Sequence, residues 1–178
     1  IIDTNVLALT TEELVQRTND IFLEAKNYDE RILTAFGQST SFYGGNAVVN
    51  SEGIAGATRT TAFVLITSAT AAEGQKRKNS FDFTVTRTIP ENEHLGANCA
   101  EKAIKLLASK PLGYTGILPS LWDQITMSNF WQIALVYSIN GRNIVEKSSY
   151  FMDKLGDKIG VPFLNIVDDG QLPEGLDT

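Results

Sequence analysis

Polar and apolar positions along the chain change period several times, and each change marks an element. Thr10-Thr11-Glu12-Glu13 reads as a capping box, in which the Thr10 hydroxyl accepts from a free amide of the first turn and Glu13 folds back onto the cap. Behind it Leu14, Val15, Thr18, Ile21, Phe22 and Ala25 recur at helical spacing, which predicts a helix over 11–26 with that face buried. A strand begins at 31–34, and Ala47-Val48-Val49 leads into Asn50-Ser51-Glu52-Gly53, where Asn50 and Gly53 suit the positive backbone angles of a tight turn. That is a hairpin signal. Over 60–70, Phe63, Leu65, Thr67 and Ala69 alternate with Val64, Ile66 and Ser68, predicting a long strand covered on both faces. Phe81, Phe83 and Val85 then alternate with Asp82, Thr84 and Thr86, as a partner strand with one wet face would.

After Pro90 the period becomes helical. Glu91 and Glu93 fall in the expected first turn, Ala100, Ala103, Ile104 and Leu107 form the stripe, and Lys105 and Lys110 lie toward the end, as the helix dipole prefers. Pro111 and Gly113 stop it, and a domain boundary is placed there, dividing 1–111 from 112–178. A short apolar strand is expected over 113–119. From Trp122 to Tyr137 two periods compete: Phe130, Ile133, Ala134 and Tyr137 fit a helix, whereas Trp131, Ile133, Leu135 and Tyr137 fit a strand; length favours the helix. Phe163-Leu164-Asn165-Ile166-Val167 reads as a strand closed by an Asp168-Asp169-Gly170 turn. The order of signals predicts an α+β fold, an antiparallel sheet with packed helices.

Composition narrows the classes. With 178 residues, 43% of them hydrophobic, the chain has enough apolar matter for one ordinary domain or two small ones. It starts at Ile1 with no basic and apolar leader, and no apolar run approaches the roughly 18 residues that cross a bilayer, so the expectation is a soluble piece of a longer chain with no membrane partner. The single cysteine, Cys99, excludes an internal disulfide framework and fits a reducing cytoplasm. A formal charge of -6 argues against nucleic acid as a partner, because phosphate binding needs a clustered positive field. The basic run Lys76-Arg77-Lys78 reads as a solvated hairpin tip, with an anion or acidic-partner contact as its alternative.

Candidate chemistry is sparse. A zinc hydrolase needs three protein ligands, histidines most often paired on one helix face, and this chain has one histidine, His94. It reads as a surface or capping residue ahead of a ligand. Cys99, without an activating base beyond His94, reads as a small core residue ahead of a nucleophile. Asp168 and Asp169 read as a turn cap ahead of an acid/base pair. Tyr43-Gly44-Gly45-Asn46 lacks the spacing of a phosphate loop and is expected to be a loop between strands.

The succession of Asn50-Ser51-Glu52-Gly53 before a long strand, a helix ending in Leu106-Leu107-Ala108-Ser109-Lys110-Pro111, Ser148-Ser149, Leu155-Gly156-Asp157-Lys158-Ile159 and Leu164-Asn165-Ile166-Val167-Asp168-Asp169 resembles the TldD/PmbA family of metallopeptidase-related proteins, also called peptidase U62 and, in an older label, modulator of DNA gyrase. The resemblance covers the chain from about Thr10. It implies the later part of an α+β N-terminal domain over 1–111, then over 112–178 the beginning of a β-rich C-terminal domain. It marks Asn50, Ser51, Gly53, Ser149, Gly156, Asp168 and Asp169 as signature positions of structural weight. Catalytic TldD-type members carry a His-Glu-x-x-x-His helix just after the strand corresponding to Gly116-Ile117-Leu118, plus a later cysteine ligand; PmbA (TldE) members lack it. The corresponding segment here, 121–131, contains no histidine. The resemblance therefore implies a non-catalytic TldE-like subunit with no metal and no catalytic residue of its own. It would pair in the cytoplasm with a zinc-bearing TldD-type subunit to degrade small or unfolded peptides. An independent peptidase with its site elsewhere in a longer chain, and a protein-binding regulatory module, are the alternatives.

Overall fold

The computed structural model describes residues 2–90, 94–167, 169 and 172. The chain divides into two compact units, the first comprising Ile1–Pro111 with Asp169–Thr178 and the second Leu112–Asp168.

The first unit is built around a meander of three antiparallel strands, β1 (Ile32–Val49), β2 (Ala55–Glu73) and β3 (Lys76–Thr86), in the order β1-β2-β3. It is preceded by α1 (Thr4–Ala8) and α2 (Thr11–Lys26) and followed by α3 (Leu95–Leu107). The capping box at the start of α2 forms as the sequence predicts: Glu13 N–H donates to Thr10 Oγ1 at 3.2 Å and Thr10 N–H donates to Glu13 Oε2 at 2.8 Å. The α2 stripe is buried at Ile21 and Ala25, but Val15 turns away from the core and is 62% exposed. Position 15 lies at the rim of the stripe, and the sheet is not wide enough to reach it. The Ser39 hydroxyl donates to Leu14 O at 2.6 Å and lies 2.7 Å from Thr18 Oγ1, which pins α2 across β1.

Tyr43-Gly44-Gly45-Asn46 is strand, not loop: Tyr43 pairs with Thr61, Gly44 with Thr60, Gly45 with Arg59 and Asn46 with Thr58. The glycines read as breakers only when the partner strand is ignored. Beyond Phe63, where β3 stops pairing with β2, β1 and β2 run on as a two-stranded ribbon to the turn at Asn50. There the Asn50 Oδ1 accepts from the amides of Glu52 and Ile54, both at 3.0 Å, and Gly53 takes φ +85°.

β2 is covered on one face, not both. Thr61, Phe63, Leu65, Thr67, Ala69 and Ala71 are buried toward the helices, while Val64, Ile66 and Ser68 are only half-buried on the other side. Both helices lie on the same face, so the opposite face has no second layer among the described residues. β3 then inverts the expected orientation. Register pairs Thr67 with Asp82 and Ile66 with Phe83, so Ser80 and Asp82 face α3 and are each 8% exposed, whereas Phe81 is 49% exposed on the far side. The cause is an ion pair: Lys102 of α3 reaches Asp82 Oδ2 at 2.7 Å and makes a polar residue the one that fits beneath the helix.

The core under α3 is made of small side chains, Ala25, Ala69, Ala71, Cys99, Ala100 and Ala103, closed by Ile32 and Leu107. A second cluster joins Val6, Ile21, Phe63, Leu65 and Leu95. Small residues let the layers approach closely, and Gly96 shows how closely. A β-carbon there would run into the Ile21 carbonyl oxygen and the Ala25 amide, so the α2–α3 contact admits no side chain at this position. The helix begins at Leu95 with His94 as N-cap, later than the sequence predicts; Glu91 and Glu93 lie outside the described residues.

In the second unit, α4 (Gln124–Trp131) continues through a π-helical turn (Gln132–Val136) into α5 (Tyr137–Ile139), followed by α6 (Gly141–Val145). Helix wins over strand here, as length indicated. Leu121, just ahead of α4, is fully exposed, whereas Ile125 and Trp131 are half-buried. Neither 113–119 nor 163–167 forms a strand. Each is apolar enough, but no described segment of the unit offers a partner edge, and a strand has no hydrogen-bonded existence alone.

Candidate functional site

The segment 121–131 is the one that the sequence resemblance sets against a zinc helix, so its local geometry decides what it can do. Asp123 precedes α4 in extended conformation and its Oδ1 accepts from Thr126 N–H at 2.7 Å, an N-cap bond that satisfies one of the free amides of the first turn. Gln124, Thr126 and Ser128 are exposed on the helix that follows, and the Ser128 hydroxyl donates back to Ile125 O at 2.9 Å. The aromatic side chains of Trp122, Phe130 and Trp131 form the segment's own packing, with ring centroids 5.7 Å apart for Trp122 and Phe130 and 5.9 Å for Phe130 and Trp131.

This donor set does not fit zinc. A hydrolytic zinc centre is built from imidazole, thiolate and carboxylate ligands, and the segment supplies one carboxylate, already oriented along the helix as a cap, among amide and hydroxyl side chains. Among the described residues no three His, Cys, Asp or Glu side chains converge closely enough to hold a metal ion. Nor does the segment place a carboxylate beside a paired imidazole to act as a general base.

The other sequence candidates are scattered. His94 caps α3 without a side-chain cap bond; its Nδ1 lies 3.6 Å from Glu24 Oε1 at the surface. Cys99 is fully buried beneath α3, its thiol 3.9 Å from Thr67 O. Burial, first of all, raises its pKa, with the Asp82 charge adding to the shift, so the thiolate that a nucleophile needs is suppressed. Asn50, Ser51 and Gly53 form the ribbon turn. Ser149 is buried, its hydroxyl donating to Ser138 O and so fixing the chain after α6 to the end of α5, and Gly156 takes φ +90° at a turn. Asp169 is exposed; Asp168 and the turn expected with Gly170 lie outside the described residues.

The basic run is more than a solvated tip. Lys76 Nζ donates to Leu107 O at 3.2 Å, capping the carbonyl end of α3, and Arg77 Nη1 donates to Gly74 O at 2.7 Å and Lys76 O at 2.9 Å. Lysine near a helix C-terminus was the signal available in the sequence; what hid it was that the helix ends thirty residues downstream of the hairpin. The sequence reading also missed the Asp82–Lys102 pair, because the alternation placed Asp82 on the wet side.

The PmbA/TldA metallopeptidase central domain matches residues 5–107, and the C-terminal domain of the same metallopeptidases matches residues 115–178. Metalloprotease PmbA of Escherichia coli O157:H7 is 27% identical over 92% of this chain, and a Metalloprotease PmbA homolog of Buchnera aphidicola is 26% identical over 83%. This chain spans only 36% and 34% of their lengths. Among solved structures, a Thermotoga maritima protein provisionally called a modulator of a DNA gyrase superposes with a TM-score of 0.73 at 19% identity, over 85% of this chain and 35% of that one. TldE from Thermococcus kodakarensis gives 0.65 at 15% identity, over 86% of this chain and 35% of its own. The likeness to these structures carries the fold, α+β with a three-stranded antiparallel sheet and packed helices. With the central-domain match extending over more than half of its residues, the chain belongs to the PmbA/TldD family of metallopeptidases.

Proposed function

We propose that this chain is part of a non-catalytic, TldE-type subunit that pairs with a zinc-bearing TldD-type subunit to cleave small or unfolded peptides. The observation that carries the reading is the segment 121–131, where a helix capped by Asp123 replaces the histidine pair and its intervening glutamate. Without those imidazoles no water is activated by a metal here. The chain's contribution is then positional: it completes the chamber and holds the peptide while its partner supplies the Lewis acid. The cytoplasm is the proposed compartment, in keeping with a lone reduced cysteine; among the described residues no helix is long and apolar enough to cross a membrane.

The test uses purified full-length protein, a TldD-type partner and an unfolded peptide, with each subunit alone as control. The mixture is expected to cleave, with loss of activity in chelator, and this protein alone to be inactive and to retain well under one zinc per chain after dialysis. Chelator-sensitive cleavage by this protein alone would establish instead an independent peptidase. Equal cleavage by the partner with and without it would remove the proposed role.

A further inference from the structure

The two outer strands of the sheet are guarded very differently. Exposed strand edges are blunted in natural proteins by charge, proline or bulges, because a row of free amides and carbonyls pairs with any extended chain it meets. β3 follows that rule, with Lys76, Arg77, Lys78 and Asp82 in 11 residues. β1 does not: over 18 residues it has no charged side chain and no proline, and its register shifts only at its start, between Ile32 and Thr34. There Lys26 Nζ already occupies the carbonyls of Ile32 at 2.7 Å and Leu33 at 3.2 Å. From Thr34 onward the outer edge of β1 has no partner strand among the described residues.

Beside that edge runs an open furrow of about 690 Å³ between α2 and β1, walled by Leu14, Val15 and Phe22 on the helix and Ala35 and Phe36 on the strand. None of the residues lining it is charged. This is where Val15 points.

We infer that the sheet continues past β1: a fourth strand, from part of the full-length polypeptide outside residues 1–178, pairs with the edge beyond Leu33 and lays uncharged side chains into the furrow. Backbone chemistry fixes the kind of occupant, because an extended chain is the partner that matches a whole row of alternating donors and acceptors. Lack of guarding fixes its permanence. An occupant that came and went would leave the 16 neutral positions from Thr34 to Val49 free to aggregate, so the strand must be one the protein never loses, and covalent attachment ensures that. Polypeptide to provide it exists in proteins of this kind, since the chain spans about a third of its curated relatives. The inference rests on family membership and sheet geometry, and is independent of the proposed function.

The test is hydrogen exchange resolved to single amides on full-length protein at high and low concentration, together with a photoreactive phenylalanine at position 15. The outward amides of β1 beyond Leu33 should exchange on the order of 100-fold more slowly than those on the outer edge of β3, at both concentrations. The cross-link should join position 15, within one molecule, to a segment outside 1–178. β1 amides exchanging as fast as those of β3 would overturn the proposal. So would protection lost on dilution together with intermolecular cross-links, which would mean a second copy, or protection gained only on adding unfolded peptide, which would mean a ligand strand in trans.

Discussion

Lys102 Nζ stands 2.7 Å from Asp82 Oδ2, joining α3 to β3 across a seam where the carboxylate side chain is 11% exposed and the ammonium side chain 50%. The asymmetry predicts unequal costs. Lys102→Met leaves a carboxylate under the helix without its cation, whereas Asp82→Ala leaves an ammonium that water reaches. Chemical denaturation should show the lysine variant losing ~1–3 kcal/mol and the aspartate variant clearly less. Equal losses would mean that the pair is held by packing of its aliphatic parts alone.

Gly53 takes φ +85° with no atom within 4 Å of where a β-carbon would stand, so any cost of substitution there is backbone strain. Gly53→Val should cost about 1 kcal/mol or more, while Gly53→Asn, which tolerates left-handed geometry, should recover much of it. Thermal unfolding and amide exchange along the ribbon check both, and a valine variant indistinguishable from the parent would refute the turn.

Acid should act at Asp29. A side-chain hydrogen bond from the Arg31 guanidinium, then one from the Arg31 amide, holds its carboxyl near 2, below the ordinary 3.8. A depressed carboxyl contributes stability that is complete above its unfolded value and lost as pH falls through the folded one. The advantage of the parent over Asp29→Asn should therefore be full at pH 5 and shrink between about pH 4 and pH 2. Denaturation midpoints of both proteins across that range would show it, and a gap that ignores pH would count against the bond.

Cys99 should resist thiol reagents at neutral pH until the first unit unfolds, because burial both blocks the sulfur and raises its pKa. Labelling in increasing denaturant should track loss of structure. Stoichiometric labelling of the native protein would contradict the packing of α3.

The helices were legible because their signals are local. The box at Thr10 and Glu13, the stripe through Ile21 and Ala25, and the alanines of α3 need no knowledge of a partner. The sheet was legible as alternation but not as orientation. Phe81, Phe83 and Val85 looked like a core face, and only Lys102, twenty residues away, shows that Asp82 lies beneath the helix. Residues 43–46 were misread for the same reason, since glycine looks like a loop until Thr58 to Thr61 stand opposite. The strands expected at 113–119 and 163–167 had apolar sequence and no edge to join. At the candidate site the absence of histidine from 121–131 was plain, whereas the use of Asp123 as a cap required the fold.

The ribbon beyond Phe63 gives the domain leverage. Eight paired positions on each strand, Phe42 to Val49 against Ala55 to Ala62, carry the Asn50 turn about 25 Å past the end of β3. A swing of roughly 10–15° at the root, well inside the range over which strand twist varies, displaces the tip by roughly 4–7 Å. A modest adjustment of the sheet therefore arrives at Ile54 magnified into a movement as large as a side chain.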